Sequence, residues 1–214
     1  MKIKAVLFDM DGILVDSERV SQEVFIKIAK EYGYNITKDQ VLKTLGLTYN
    51  DTMSYFKDKI SYDYPYEEIV SNLERKLIEM AYQGTLPIKS NVREVIDELK
   101  KKKILIAVSS SNTKLSVNSY LDALKIKESF DVIVTGDDVT NGKPSPEIFN
   151  KTAELLNVKN NECLVVEDSF NGLKAAKLAQ MTSVMIPDLI PYSNILEPYV
   201  DYKFDNIINI LELF

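Results

Sequence analysis

The sequence predicts an α/β fold, a doubly wound parallel sheet carrying an inserted helical domain, and three observations predict it. Continuous apolar runs recur at residues 5–8, 104–108, 132–134, 164–166 and 183–186, as expected of strands buried on both faces. Segments of helical periodicity at about residues 91–102, 114–124, 146–156 and 172–179 fall between those runs, the alternation of a parallel sheet with helices on both sides. Between the first run and the second lie about seventy residues without a strand-like run, far more than one crossover helix needs.

Local signals support each element. Ser145 stands ready to cap a helix with Pro146 at its first position, and Asn91 is followed three residues later by Glu94. In the long insertion Val20, Val24 and Ile28 share one helix face, which Gly33 can end. Thr37 with Gln40, and Thr48 with Asp51, mark two further starts, while Pro65 opens a longer segment closed by Gly84. The expected organisation is a four-helix cap over residues 17–84 on a core formed by residues 1–16 and 85–214. The run from Lys100 to Lys103 reads as a solvated helix end.

Composition narrows the chemistry. Among 214 residues, 26 basic side chains face 32 acidic ones, so no positive field attracts a nucleic-acid backbone or an anionic membrane. A small soluble partner is expected, bound by a monomer or weak dimer. The single cysteine, Cys163, sits within Glu162-Cys163-Leu164-Val165-Val166 and reads as a small buried residue in a reducing, cytoplasmic setting. No apolar stretch is long enough for a signal-peptide core or a membrane span. The sequence has no histidine, which removes the Ser-His-Asp triad, His-ligated zinc and phosphohistidine together. Catalysis must use carboxylates, hydroxyls, lysine and metal.

Those groups cluster where strands are expected to end. The first run leads into Asp9-Met10-Asp11-Gly12, at the strand end where α/β sheets bind ligands. Alternate residues of an extended chain share a face, so Asp9 and Asp11 are expected to address one spot, with Gly12 allowing the turn that follows. An ordinary acidic turn is the competing reading. In Asn141-Gly142-Lys143-Pro144-Ser145-Pro146, Gly142 and Pro144 hold Lys143 in a stiff loop able to aim an ammonium at carboxylates. Glu167-Asp168 ends another run. Carboxylates crowded near Asp9 require a cation, and oxygen ligands from separate loops suit Mg²⁺, although Asp168 could instead cap a helix. Ser109-Ser110-Ser111-Asn112-Thr113 supplies hydroxyls and N–H groups before a helix, a phosphate cradle or a plain cap.

Taken in order, Asp9/Asp11, Ser109, Lys143 and Glu167/Asp168 resemble the four motifs of the haloacid dehalogenase superfamily, over nearly the whole chain. Gly46-Leu47-Thr48 in the insertion and the Gly142 to Pro146 loop are similar to its β-phosphoglucomutase-like branch, with a Rossmann-like core. The resemblance implies that Asp9 attacks phosphorus to form an aspartyl phosphate, and that Asp11 protonates the leaving oxygen and then activates water. It implies that Ser109 binds the phosphoryl group, with Ser110 and Gly46 as further substrate contacts, and that Lys143 offsets charge. Asp9, the Asp11 carbonyl and Asp168 would hold Mg²⁺, with Glu167 ligating it or orienting its waters.

The expected activity is therefore that of a Mg²⁺-dependent phosphatase acting on a small phosphorylated metabolite such as a sugar phosphate. A sugar phosphomutase of the β-phosphoglucomutase type is the alternative. Against it, Ser21 falls near the position of that branch's cap histidine, and Leu45 and Tyr49, rather than basic residues, flank Gly46-Leu47-Thr48, with Lys43 as the basic group nearby. A third reading, a non-catalytic phospho-acceptor switch, needs neither Asp11 nor a large cap.

Overall fold

The computed structural model describes residues 2–45 and 47–214. Six strands, β1 (Ala5–Phe8), β2 (Leu105–Ser109), β3 (Val132–Val134), β4 (Cys163–Glu167), β5 (Thr182–Met185) and β6 (Tyr202–Lys203), form one sheet in the order β3-β2-β1-β4-β5-β6. Every neighbouring pair is parallel. The winding reverses between β1 and β4, and a crevice opens there beyond the carboxyl ends of the strands.

Four helices separate β1 from the rest of the core: α1 (Ser17–Glu31), α2 (Lys38–Leu42), α3 (Tyr49–Lys59) and α4 (Tyr66–Tyr82). The core helices are α5 (Val92–Lys101), α6 (Lys114–Ala123), α7 (Glu147–Leu155) and α8 (Phe170–Leu178). All four residues of β1 are fully buried and serve two layers. Val6 and Phe8 pack with α5, α6 and the C-terminal Ile207 and Ile210, while Ala5 and Leu7 pack with α7 and α8. Alternation along the pleat thus assigns each residue of one apolar run to a different face.

The capping signals meet different outcomes. Thr37 and Gln40 form a reciprocal capping box, and Thr48 Oγ1 accepts the Asp51 N–H. Gly33 and Gly84 follow α1 and α4 at positive φ, 88° and 71°, where a side chain would be strained. Asn91 instead opens α5 in a left-handed conformation, φ 64°, and caps nothing with its side chain. α7 begins one residue later than the sequence suggests, with Pro146 flanking it and Ser145 Oγ accepting the Glu147 N–H at 3.3 Å. The two-residue β6 lacks any periodic sequence signal.

The helical insertion has its own apolar centre, in which Phe56 stacks on Tyr64 and Tyr66 and tilts against Phe25. Two segments connect it to the sheet and pair with each other. The Asp16 N–H donates to Pro87 O at 2.9 Å, the Lys89 N–H donates to Leu14 O at 3.0 Å, and Val15 bridges Ile88 antiparallel. Among the described residues no helix is long and apolar enough to cross a membrane.

Candidate active site

The site begins at β1, which leaves the sheet at Asp9, whose N–H is still tied to Val166 O at 3.0 Å. The chain then turns at Gly12, at φ 72°. A Cβ on Gly12 would lie 2.2 Å from Asp168 Oδ2, so glycine is required both by the backbone and by the close approach of the β4 loop. That approach brings the carboxylates of Asp9, Glu167 and Asp168 together, one oxygen of each lying within 4.8 Å of the others. All three are buried.

Lys143 answers this concentration of charge. Its Nζ donates to Asp9 Oδ1 at 2.6 Å, Glu167 Oε1 at 2.7 Å and Ser109 O at 3.0 Å. Those three bonds use every proton of the ammonium. The peptide after Lys143 is cis, and the Phe149 ring lies 5.1 Å from Nζ. Burial alone would lower the Lys143 pKa, but the Asp9 and Glu167 charges outweigh it and hold the lysine protonated.

Glu167 is held by its own loop: its second oxygen accepts the N–H groups of Asp168 and Ser169 and the Ser169 hydroxyl, at 2.9–3.0 Å. The space for its carboxylate exists because residue 172 is glycine, where a Cβ would lie 1.7 Å from Glu167 Oε1.

Asp11 lies outside the three-carboxylate cluster. Its carboxylate accepts hydrogen bonds from Ser17 Oγ and, at 2.8 Å, from Asn112 Nδ2. Burial pushes its pKa up, opposed by the Ser17 hydrogen bond and by Lys143, the direction that suits a proton donor. Asp9 is pushed up to about 8, first by burial and then by Glu167 and Asp11 against Lys143, and Asp168 also rises, through burial and its acidic neighbours. An acidic cluster with one lysine and oxygen donors throughout matches what a hard divalent cation needs.

The hydroxyl expected to bind phosphate requires correction. Ser109 Oγ lies 2.9 Å from Thr152 Oγ1 on α7, because position 109 continues the β2 face of Leu105 and Ala107, which packs toward α7. Ser109 therefore faces away from the cluster, and it is its carbonyl that meets Lys143. Ser110 follows directly, buried, with its Oγ accepting the Asn112 N–H at 3.2 Å. Gly46 lies outside the described residues.

Over the cluster lies a cavity of about 1010 Å³, walled below by Asp9, Asp11, Lys143 and Asp168, on one side by Ser111 to Thr113, and above by residues of α1, α3 and α4. Lys143 is the single basic residue among its described lining residues, and Lys43 does not reach it. Glu74 of α4 spans to the core, accepting from Ser116 Oγ at 2.6 Å and from the Thr113 hydroxyl.

Sequence reasoning missed the partners of Asp11 and the spacer role of Gly172. A glycine inside the first turn of a helix, where it costs stability, was a usable sign of close approach. It also missed Asp188, whose carboxylate is ion-paired to Arg19 at 2.6 Å and Lys89 at 2.9 Å and lies near Glu18 and Asp168. Nothing in its sequence surroundings marks it.

The family model described as haloacid dehalogenase-like hydrolase matches residues 6–186. A phosphorylated carbohydrates phosphatase of Thermotoga maritima is 32% identical over 180 residues, spanning 83% of this chain and 82% of that protein. Among solved structures, CbbY of Rhodobacter sphaeroides in complex with phosphate superposes with a TM-score of 0.81 at 25% identity, covering 95% of this chain and 94% of that one. A β-phosphoglucomutase of Clostridium difficile has the same fold, with a TM-score of 0.76 at 24% identity, over 98% and 96% of the two chains. With its fold that of the β-phosphoglucomutase-like branch and its carboxylates and lysine gathered at one crevice, the chain belongs to the haloacid dehalogenase-like hydrolases.

Proposed function

We propose that the chain is a Mg²⁺-dependent phosphatase that hydrolyses a small phosphorylated metabolite through an aspartyl phosphate on Asp9. The observation that carries this reading is the division of labour between two neighbouring carboxylates. Asp9 is tied to Lys143 at the floor of the cavity, whereas Asp11 is held apart by Ser17 and Asn112. A nucleophile and a proton donor need such different surroundings.

In the proposed sequence, an Asp9 oxygen attacks phosphorus and the ester oxygen leaves with a proton from Asp11. Asp11, now ionised, takes a proton from water, which attacks the phosphorus of the acyl phosphate and frees Asp9 and phosphate. Lys143 stabilises charge on Asp9 and on the transferring group. Ser110 and the N–H groups after β2 are better placed than the Ser109 hydroxyl to cradle the phosphoryl oxygens. Asp9, Asp168 and the Asp11 carbonyl would hold Mg²⁺, with Glu167 fixing the loop, and the metal would supply further charge neutralisation at the phosphoryl oxygens.

Helices α1 to α4, within residues 17–84, would act as a cap over the core of residues 1–16 and 85–214. The name of the Thermotoga relative supports a phosphorylated small molecule as substrate. With all site residues on one chain, a monomer or weak dimer suffices, and a lone buried cysteine suits the cytoplasm. A mutase must grip a second phosphate, and the described cavity lining offers no second cation for it. Incubation with Mg²⁺ and p-nitrophenyl phosphate tests the reading: sustained turnover that stops on chelation is expected. Release of one equivalent at most would identify a phospho-acceptor switch instead.

A further inference from the structure

Glu18 and Asp188 carry carboxylate oxygens that the mechanism above leaves unused. β5 runs beside β4 with Met185 opposite Glu167, and the Ile186 N–H donates to Glu167 O at 2.9 Å. The chain leaving β5 therefore passes the strand end that bears Asp168, and a Cβ on Gly12 would lie 3.3 Å from Asp188 Cβ as well as against Asp168. From the insertion, α1 brings Glu18, its second residue. One oxygen each of Glu18, Asp168 and Asp188 lies within 4.8 Å of the others, so Asp168 belongs both to this group and to the one with Asp9 and Glu167.

The oxygens of this group are unequally partnered. The Asp188 side chain is 2% exposed, and both of its cations, Arg19 at 2.6 Å and Lys89 at 2.9 Å, bind Oδ1. Its Oδ2 is buried without a hydrogen-bond partner, and so is Glu18 Oε2. A buried acceptor left unpaired costs roughly 1–3 kcal/mol, more when charged, so two of them beside one expected metal ligand call for donors. Arg19 and Lys89 are engaged by Asp16 and Asp188, and Lys143 by Asp9, Glu167 and Ser109. Water on a divalent cation is a donor of the right kind. Mg²⁺ keeps several waters when one or two carboxylates bind it, and the groups that orient its shell set its affinity. Gln22, one turn along α1, is the rival partner for Glu18. Its Nε2 is also buried and unpaired, and a bond between the two side chains would satisfy both without metal.

We infer that Glu18 and Asp188 are positioning residues for the divalent cation, whose waters donate to their unpaired oxygens, so that binding the cation also fixes the first turn of α1 against the core. The inference rests on the cation assignment in the phosphatase reading above. Glu18 belongs to the insertion and Asp188 to the core, so the outer shell of the cation joins the two.

Mn²⁺ titrated into the whole chain, with the free ion followed by electron paramagnetic resonance, tests this. The parent should bind one equivalent. Glu18→Gln and Asp188→Asn should each bind one equivalent with Kd raised about tenfold or more, the usual effect of losing an outer-shell partner. Glu23→Gln, which removes an exposed charge from the same helix, should change Kd less than twofold. Mn²⁺ should slow amide hydrogen exchange in the first two turns of α1 in the parent and not in Glu18→Gln. The metal-free Tm of Glu18→Gln should hold or rise, since a carboxamide is cheaper than a carboxylate to bury unpaired. If that variant does not fold, Asp188→Asn carries the test, because its amide oxygen still accepts from Arg19 and Lys89. An unchanged Kd in either folded variant overturns the inference, and a lowered metal-free Tm beside it would assign Glu18 to Gln22. Two equivalents in the parent, one of them lost in either variant, would mark a second cation site and overturn it equally. A parent that binds no Mn²⁺ overturns the cation assignment itself.

Discussion

The floor of the large cavity and the interior of the helical insertion are opposites. On the floor, the buried Lys143 ammonium is joined to the carboxyl groups of Asp9 and Glu167 by hydrogen bonds of 2.6–2.7 Å, and the surrounding loops are spaced around them to within one methyl group. In the insertion, the packed centre is aromatic and aliphatic, and buried polar atoms of Glu18, Gln22 and Tyr64 are left without hydrogen-bond partners. The difference teaches what holds each region: the floor is a closed polar network in which a buried ammonium is matched by acceptors, whereas the insertion is held by apolar packing that leaves polar atoms unpaired.

The contrast can be broken at the floor most sharply. Asp9→Asn keeps the side-chain volume and removes the nucleophile, so turnover with Mg²⁺ should fall by about 10³-fold or more while the fold persists, as loss of a covalent nucleophile does elsewhere. Activity within tenfold of the parent would exclude attack by Asp9. In the insertion the corresponding break is structural. Phe56 is 1% exposed, and Phe56→Ala should cost roughly 3–5 kcal/mol in denaturant unfolding through loss of its contacts and the cavity left behind. A loss under about 1 kcal/mol would mean that this centre does not hold the helices together.

Lys143→Ala should cut kcat by roughly 10²–10³-fold, as removal of a preorganised electrostatic group does. It should also lower stability in the absence of metal, because Asp9 and Glu167 would face each other unpaired. A threefold effect with unchanged stability would reduce Lys143 to an ordinary lysine. Gly172→Ala should raise the Mg²⁺ concentration needed for half-maximal activity by about 10–100-fold, the usual cost of displacing a group that orients metal ligands. Gly142→Ala, with nothing near its Cβ, should leave it unchanged. Equal responses from the two glycines would show that the Glu167 contact is unimportant.

The smallest expected effect is on pH dependence. Asp9, driven from 3.8 to about 8 by burial and then by Glu167 and Asp11, holds a proton in the folded metal-free protein that the unfolded chain releases. That contribution to stability is present below the unfolded value and is lost as pH rises through the folded one. The metal-free Tm should therefore decline from about pH 5 to about pH 8, and Mg²⁺, which must displace such protons, should raise Tm more at the upper end. Thermal melts with and without Mg²⁺ decide it, and an equal Mg²⁺ shift at both ends would show that the cluster is already ionised.

The sheet was readable because five strands are buried on both faces and so write continuous apolar runs, whereas β6, two residues long with both exposed, writes nothing. Thr37 and Thr48 announced their helices because capping is a local interaction. Asn91 misled because a left-handed start and a side-chain cap use the same residue type. In the site, Asp9, Lys143, Glu167 and Asp168 were legible as acids and a lysine at strand ends. The hydroxyl direction at Ser109 was not, since a one-residue shift along a strand reverses the face. Asp188 and Thr152 act from 169 and 43 residues away from their partners, a separation that no local pattern encodes.

The paired connectors, Leu14 to Asp16 against Pro87 to Lys89, carry a consequence for how the chain can change. Because α1 follows directly at Ser17, these few hydrogen bonds set the rotational phase of that helix relative to β1. An α-helix turns about 100° per residue. One residue inserted between Val15 and Ser17 would swing Glu18, Ser21 and Gln22 around the helix axis and break the bridge from Val15 to Ile88 together. Substitutions along α1 can vary what the cavity accepts, but the length of either connector is fixed like the pitch of a screw thread.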